Sequence, residues 1–134
     1  MIFVDSSVLI DYFSGKNNWQ VEKLDEILGN EIIVLGDYIL VEVLQGFKKD
    51  KDFKTAKNVL SSFPCINILG EEIAVKSAIN YRTLRKKGIT IRKTIDAIIS
   101  TFCIENDLLL LHNDKDFLPF EKHLGLKSVS LKIN

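Results

Sequence analysis

Short apolar runs that lack polar alternation recur along the chain and constrain its fold more than any other feature. Four of them, MIFVD, EIIVLG, INIL and DLLLLH, have the length of strands buried on both faces, and SVSLKI is a weaker fifth. Amphipathic helical patterns such as WQVEKLDEIL and EEIAVKSAINYRTLRKKG lie between them. Strands that alternate with helices pair in parallel through right-handed crossovers. We therefore expect an α/β fold: a three-layer α/β/α sandwich with a central, mainly parallel sheet of four to five strands.

Length and charge narrow the possibilities further. The 134 residues fit a single domain, residues 1–134, and their 18 basic and 18 acidic side chains cancel, so any polyanion site must be local. The apolar start is interrupted by Asp5 and Asp11 and has no basic leader, which predicts a cytoplasmic chain with no signal peptide and no membrane span. Cys65 and Cys103 lie in apolar contexts and are predicted to be buried, reduced thiols.

Acidic residues follow the first and the last of the four strong strand patterns. Asp5 ends the first run, Asp114 follows DLLLLH, and Asp116 comes two residues later. Ligands of parallel sheets gather at the carboxyl ends of the strands, so these side chains are expected at one edge. Each also has a purely structural interpretation, because Asp5 can cap a helix that starts at Ser6 or Ser7 and Asp114 can form an Asx turn.

Two further acids lie in predicted helices. Glu42 stands among apolar residues in DYILVEVLQGF without an obvious local partner, and buried glutamates are rarely unpaired. Asp96 lies in the first turn of the helix that leads into the last strong strand pattern. A remote ion pair or an exposed stripe would explain Glu42, and the helix dipole would explain Asp96. Four separate structural explanations are less economical than one acidic cluster.

A cluster of this kind needs cations, since neighbouring carboxylates raise one another's pKa. Donor sets made only of oxygen favour hard divalent ions, so one or two Mg²⁺ or Mn²⁺ ions are expected. The predicted ligands are Asp5, Glu42, Asp96, Asp114 and Asp116. Such ions activate water for phosphodiester hydrolysis, with Glu42 as a ligand or as the group that deprotonates the water, and with Ser7 and Asn113 orienting it.

Positive groups for an anionic substrate precede Asp96 in the stretch YRTLRKKGITIRKTID. Arg92 and Lys93 are the stronger candidates for phosphate binding. Arg85 and Lys86 are also candidates, although they equally fit a solvated helix end that complements the helix dipole.

Four ordered motifs give the chain a family resemblance. The segments IFVDSSVLIDYF, ILVEVLQGF, IRKTIDAIISTFCIEND and LLLLHNDKDF resemble the motifs of the PIN-domain ribonucleases, and among them the VapC-type toxins of prokaryotic toxin–antitoxin pairs. The resemblance implies an RNA substrate, Mg²⁺ or Mn²⁺, a homodimer and a small cognate antitoxin. It makes Asp116 an auxiliary acid, places Ser7 at the small polar position of the family, and implies an acidic quartet of Asp5, Glu42, Asp96 and Asp114. His112 departs from it, because the family often has threonine there.

Competing interpretations differ in how well the motifs support them. A phosphatase of the haloacid dehalogenase type would need a second aspartate at the position of Ser7, and no glycine-rich dinucleotide or phosphate loop follows the first strand. The remaining alternative is a catalytically silent protein of PIN-like fold that docks a basic partner segment in its acidic notch.

Overall fold

The computed structural model describes residues 1–131 and confirms the α/β class. Its four strands form one sheet in the order β3-β2-β1-β4, and every adjacent pair is parallel. The strands are β1 (Ile2–Val4), β2 (Ile33–Gly36), β3 (Cys65–Ile66) and β4 (Leu109–Leu111). Since sequential strands run in the same direction, each connection crosses the sheet through one or more helices.

Seven α-helices flank the sheet within residues 1–131, and the second and the fifth of them correspond to the two amphipathic patterns quoted from the sequence. They are α1 (Ser6–Phe13), α2 (Trp19–Ile27), α3 (Asp37–Leu44), α4 (Asp50–Leu60), α5 (Glu71–Lys86), α6 (Thr94–Glu105) and α7 (Leu118–Leu124), with a 3₁₀ turn at Lys115–Phe117 before α7. In this part of the chain no helix has both the length and the apolar composition that a membrane span requires.

The weaker fifth strand pattern does not form a strand in the described residues. Ser128 makes an isolated parallel bridge to Leu110, and the Val129 N–H donates to the Leu110 carbonyl at 2.9 Å. Because β4 is only three residues long, it offers this segment few backbone groups to pair with. Lys132 and Ile133, the end of the pattern, lie outside the described residues.

The two cysteines have different environments, so the prediction that both are buried is wrong for one of them. Cys103 is fully buried on α6, whereas Cys65 is exposed. Cys65 lies on β3, which has a single neighbour in the described sheet and is two residues long. The residue of this segment that does enter the core is Ile68.

The pairing of β1 with β4 positions the edge of the sheet that carries the acids. Val4 pairs with Leu111, and the Asp5 N–H donates to the Leu111 carbonyl at 2.9 Å. The segment after β4, which contains Asp114, therefore starts beside Asp5. Phe3 and Val4 are fully buried and fix this end of β1 in the core.

Gly36 gives a test of packing behind this edge. A Cβ atom at Gly36 would lie 2.9 Å from Ile68 Cγ2 and 2.9 Å from Phe3 Cζ, and both side chains are fully buried. We expect Gly36→Ala to lower the free energy of unfolding by about 1–3 kcal/mol, measured by denaturant titration. Gly46→Ala is the control, because its Cβ would meet nothing closer than Val43 O at 3.5 Å. Equal stability of the two variants would contradict the close packing of Ile68 and Phe3 against Gly36.

Candidate active site

Asp5 caps a helix and also lies at the edge of the sheet where ligands are expected. It occupies the N-cap of α1, where its Oδ2 accepts hydrogen bonds from the Ser7 N–H at 3.0 Å and the Ser7 hydroxyl at 2.7 Å. The same carboxyl group is buried at the carboxyl end of β1. Burial raises its pKa above the ordinary value, although the two hydrogen bonds from Ser7 oppose the shift. The cap therefore holds a carboxylate in a place that disfavours its charge.

Glu42 is half-buried on α3 and faces the start of α1. Its Oε1 accepts a hydrogen bond from the Ser6 hydroxyl at 3.2 Å. Burial and the neighbouring charge of Asp5 raise the pKa of Glu42. The ion pair proposed as an alternative explanation is not formed with any basic residue in 1–131. The sequence indicated Ser6 only as a possible start of the helix, and its hydrogen bond to Glu42 was not predicted.

Three other acids form a compact group, which we call the three-acid group: Asp96, Asp114 and Asp116. One carboxylate oxygen from each lies within 4.8 Å of the others. Asp96 is buried at the start of α6, and its Oδ2 finds no hydrogen-bond partner within the described part of the chain. Asp5 and Glu42 lie beside the group and not in it, but the charge of Asp5 acts on both Glu42 and Asp96.

Two of the predicted phosphate-binding residues contact the three-acid group directly. Lys93 Nζ lies 3.0 Å from Asp114 Oδ2 and 3.7 Å from Asp96 Oδ2. Arg92 Nη2 donates to both carboxylate oxygens of Asp116, at 2.9 and 3.0 Å. The sequence predicted these cations outside the acidic centre, whereas the structure shows that they partly neutralise it. Both side chains remain about half or more exposed, at 49% for Lys93 and 65% for Arg92.

Asp96 and Asp114 of the group differ in proton affinity. Burial raises the pKa of Asp96 to about 7, and the charges of Asp114 and Asp5 add to the shift against the effect of Lys93. The pKa of Asp114 lies below its usual value. Burial alone would raise it, but hydrogen bonds from the Asp116 N–H and from Lys93 outweigh the effect of burial. One site thus holds a carboxylate that is readily ionised beside one that resists ionisation.

The donor set fits a hard divalent cation. It consists of carboxylate oxygens only, and three of them are already within reach of one another. Asp96 Oδ2 receives no hydrogen bond in the described residues and has only the Lys93 ammonium at 3.7 Å, so such an ion would stabilise it, since a buried charge needs a close partner. Burial and repulsion by neighbouring carboxylates raise the pKa of Asp96, and the charge of the same ion would lower it.

A network of polar residues joins Ser7 and Asn113, both predicted for the site, to Asp11 and Gln20, which had not been predicted for it. The Asn113 N–H donates to Ser7 Oγ at 2.9 Å, and Asn113 Nδ2 donates to Asp11 Oδ2 at 2.9 Å. Asn113 Oδ1 accepts from Gln20 Nε2 at 3.2 Å. The Asn113 side chain is therefore directed to Asp11 and Gln20, and only its backbone serves Ser7. Asp11 follows Ser7 by four residues on α1, a spacing that could have indicated their shared face.

His112 supports Asp114 in place of the threonine that the family resemblance implied. Its Nδ1 accepts a hydrogen bond from the Asp114 N–H at 3.2 Å, and its Nε2 lies 2.6 Å from Glu121 Oε2. Glu121 also accepts from the Ser128 hydroxyl at 2.9 Å. His112 thus links Asp114 to α7 and to the segment that bridges β4.

Arg85 and Lys86 lie elsewhere. They end α5, and neither makes a hydrogen bond or ion pair with the acids in residues 1–131. The Arg85 guanidinium instead lies over the Tyr81 ring, 5.8 Å from its centroid. Their predicted role in substrate binding has no support from these contacts.

Comparison with known proteins identifies the family. The PIN domain family matches residues 2–122, and the chain therefore belongs to the PIN-domain family. It is 32% identical to Ribonuclease VapC1 of Methanocaldococcus jannaschii over 94% of this chain and 85% of that protein, and 25% identical to Ribonuclease VapC11 of Mycobacterium tuberculosis over 98% and 100%. A solved structure described as a toxin–antitoxin complex from Klebsiella pneumoniae superposes with a TM-score of 0.72 at 24% identity, over 97% of each chain.

Asp96 gives a prediction about pH and stability. The pKa of Asp96 is about 7 in the folded chain, above its ordinary value of 3.8. Between these two pH values the folded state binds more protons than the unfolded state. The contribution of Asp96 to stability therefore falls as pH rises from about 4 to about 7. Asp96→Asn removes this loss. In chelator, we expect the melting temperature of the variant, relative to the wild type, to rise by several degrees between pH 4 and pH 8.

The control for this measurement is Asp25→Asn, which removes an exposed carboxylate from α2. A difference in melting temperature between Asp96→Asn and the wild type that stays constant over the pH range would show that burial does not perturb Asp96.

Proposed function

We propose that this protein is a metal-dependent endoribonuclease that hydrolyses RNA phosphodiester bonds, and that it is the toxin of a cytoplasmic toxin–antitoxin pair. The observation that carries the proposal is the buried Asp96 oxygen without a hydrogen-bond partner in the described residues, within a group of three carboxylates. The relatives named as ribonucleases and the neighbour described as a toxin–antitoxin complex support the substrate and the biological role.

The acids divide into ligands and a proton acceptor. Asp96, Asp114 and Asp116, together with Asp5, would hold Mg²⁺ or Mn²⁺. Such an ion, when bound, acidifies an attacking water and stabilises the charge on the leaving oxygen. Glu42 lies outside the three-acid group and has a raised pKa, so it is suited to take up the proton that the water loses. Ser6, which donates to Glu42 Oε1, fixes the orientation of this carboxylate.

Arg92 and Lys93 would bind the substrate phosphate. Their contacts with Asp116 and Asp114 hold the two cations at the rim of the site, and much of each side chain remains exposed. An incoming phosphodiester can accept hydrogen bonds from the exposed donors without complete loss of these ion pairs. The cations thus supply a positive rim to an otherwise acidic site.

The catalytic proposal is tested by cleavage of single-stranded and structured RNA. Asp5→Asn and Asp96→Asn are expected to lower the rate at least about a hundredfold with Mn²⁺ or Mg²⁺ present, because each removes a charge that would hold the ion. Asparagine is also a good N-cap, so Asp5→Asn keeps the cap of α1. Chelator should abolish wild-type cleavage.

Asp25→Asn again serves as the control and should cleave RNA at the wild-type rate. Wild-type activity in Asp5→Asn, or full activity in chelator, would refute the metal-dependent mechanism. Binding of a basic partner segment by a protein that cleaves no RNA with either metal would favour the catalytically silent interaction protein instead.

We also propose a homodimer, whose contact surface would be an exposed apolar face. The face consists of Tyr38, Val41, Leu69, Val75 and Ile79. Two grooves of about 540 and 270 Å³ adjoin it and share Leu69 and Ile98. The smaller includes Tyr38 and Val41 of α3, and the larger includes Ala74 and Ala78 of α5, which directly precede Val75 and Ile79. Contiguous exposed apolar surface of this kind marks an interaction site.

Charge on α5 favours a second copy of the chain as the occupant of the apolar face. The helix has Glu71 and Glu72 in its first turn and Arg85 and Lys86 in its last. A twofold axis across α5 would place two copies antiparallel, so that the acidic start of each helix meets the basic end of the other. Val75 and Ile79 would then lie near the centre of the contact.

Ile79→Asp tests this contact. We expect the wild type to behave as a dimer and Ile79→Asp as a monomer when the mass is measured by light scattering at micromolar concentration, since burying the new carboxylate in the contact would be costly. Val59→Asp, at an exposed apolar residue of α4, should remain dimeric. A monomeric wild type, or dissociation in both variants, would contradict the proposed face and leave it available to the antitoxin.

A further inference from the structure

A groove opens next to the three-acid group, and the chemistry assigned above uses only Arg92 and Asp116 of the residues that line it. It has a volume of about 870 Å³ and lies between the loop before α6 and the start of α7. We call it the α7 groove and define it by Ile89, Arg92, Lys115, Asp116, Leu118 and Lys122. Because Asp116 and Arg92 belong both to this groove and to the acid site, the two are continuous.

The groove has a local excess of positive charge. Arg92, Lys115 and Lys122 contribute cations, and His123 also lines the wall. Of the acids that line it, Asp116 is paired with Arg92, and Glu121 is engaged by His112 and Ser128. The whole chain has a formal net charge of zero, so this excess is not a general property of the surface. Three cations against two carboxylates leave the groove with a formal excess of one positive charge, which favours an anionic ligand.

Apolar groups lie between these cations. Leu118 is 52% exposed, and Ile89 and Pro119 line the groove with it. A cationic rim combined with apolar and aromatic contact surface is typical of sites for single-stranded nucleic acid, where phosphates meet the charges and unstacked bases pack on the side chains. An acidic peptide would use the lysines but offers no planar bases for Leu118 and His123.

We propose that the α7 groove binds the RNA strand on one side of the cleaved phosphodiester. Lys115 and Lys122 contact backbone phosphates, Leu118 and His123 contact a base, and Arg92 marks the junction with the acid site. The inference rests on the ribonuclease function proposed above and extends it to the path of the substrate. Sequence-independent contacts of this kind position the strand without selecting its sequence.

The test measures RNA binding and its salt dependence in the full-length protein. A labelled single-stranded RNA of mixed sequence is titrated with Asp5→Asn protein, which is expected to keep the cap of α1 and to leave the probe uncleaved. Lys115→Ala with Lys122→Ala is compared with Lys54→Ala and Lys57→Ala, a control pair that removes the same charge from exposed positions on α4.

Loss of two phosphate contacts should weaken binding about tenfold at low salt and reduce the slope of log affinity against log salt by about 1.4, since single strands give about 0.7 per contact. The α4 pair should change neither quantity appreciably.

Leu118→Ser should weaken binding without a change of slope, because it removes a base contact and no charge. With Asp5 restored, the groove variants should raise KM and leave kcat unchanged.

Equal effects of the two lysine pairs, or an unchanged salt slope in the groove pair, would overturn the groove as the path of the RNA. If the wild type then still cleaves RNA, the proposed function stands and only the groove is refuted. If the wild type neither binds nor cleaves RNA, both proposals fall. Loss of antitoxin binding in the groove pair, with RNA binding intact, would assign the groove to the protein partner.

Discussion

The parallel pairing of β1 with β4 is the interaction on which the site depends. These strands are separated by about a hundred residues of sequence, yet the contact between Asp5 and Leu111 places the end of one beside the end of the other. Ser7 strengthens the junction, because its hydroxyl donates to Asp5 and accepts from the Asn113 backbone. Without this register, the acid after β1 and the acid after β4 would have no reason to share a site.

Electrostatics explains why the site is built with so many supporting contacts. Burial opposes the charge of Asp5, Glu42 and Asp96, and Asp5 also repels the other two. Ser6, Ser7 and Lys93 compensate only part of this cost, and one oxygen of Asp96 receives no hydrogen bond in residues 1–131. Maintaining such a cluster lowers the stability of the fold, and perturbed carboxylates of this kind are typical of functional sites.

The sequence predicts the elements better than it predicts what they touch. Apolar runs without polar alternation predicted the four strands, and the rule that ligands gather at strand ends singled out Asp5, Asp114 and Asp116, because both inferences depend on local pattern. Cys65 and the SVSLKI segment were misjudged since burial at the edge of a sheet depends on which neighbours the edge has. The contacts of Lys93 and Asp11 also required coordinates, as a side chain of either kind can reach many partners.

The N-cap role of Asp5 has a consequence for how this chain would diverge after losing its activity. A descendant with no catalytic duty would still benefit from an aspartate at position 5, where it caps α1. Asp96 has no such second benefit of comparable strength, because its burial costs more than the helix dipole returns. Under the proposed mechanism, an idle lineage would therefore discard Asp96 early and retain Asp5, so position 96 would be the more informative mark of an active homologue.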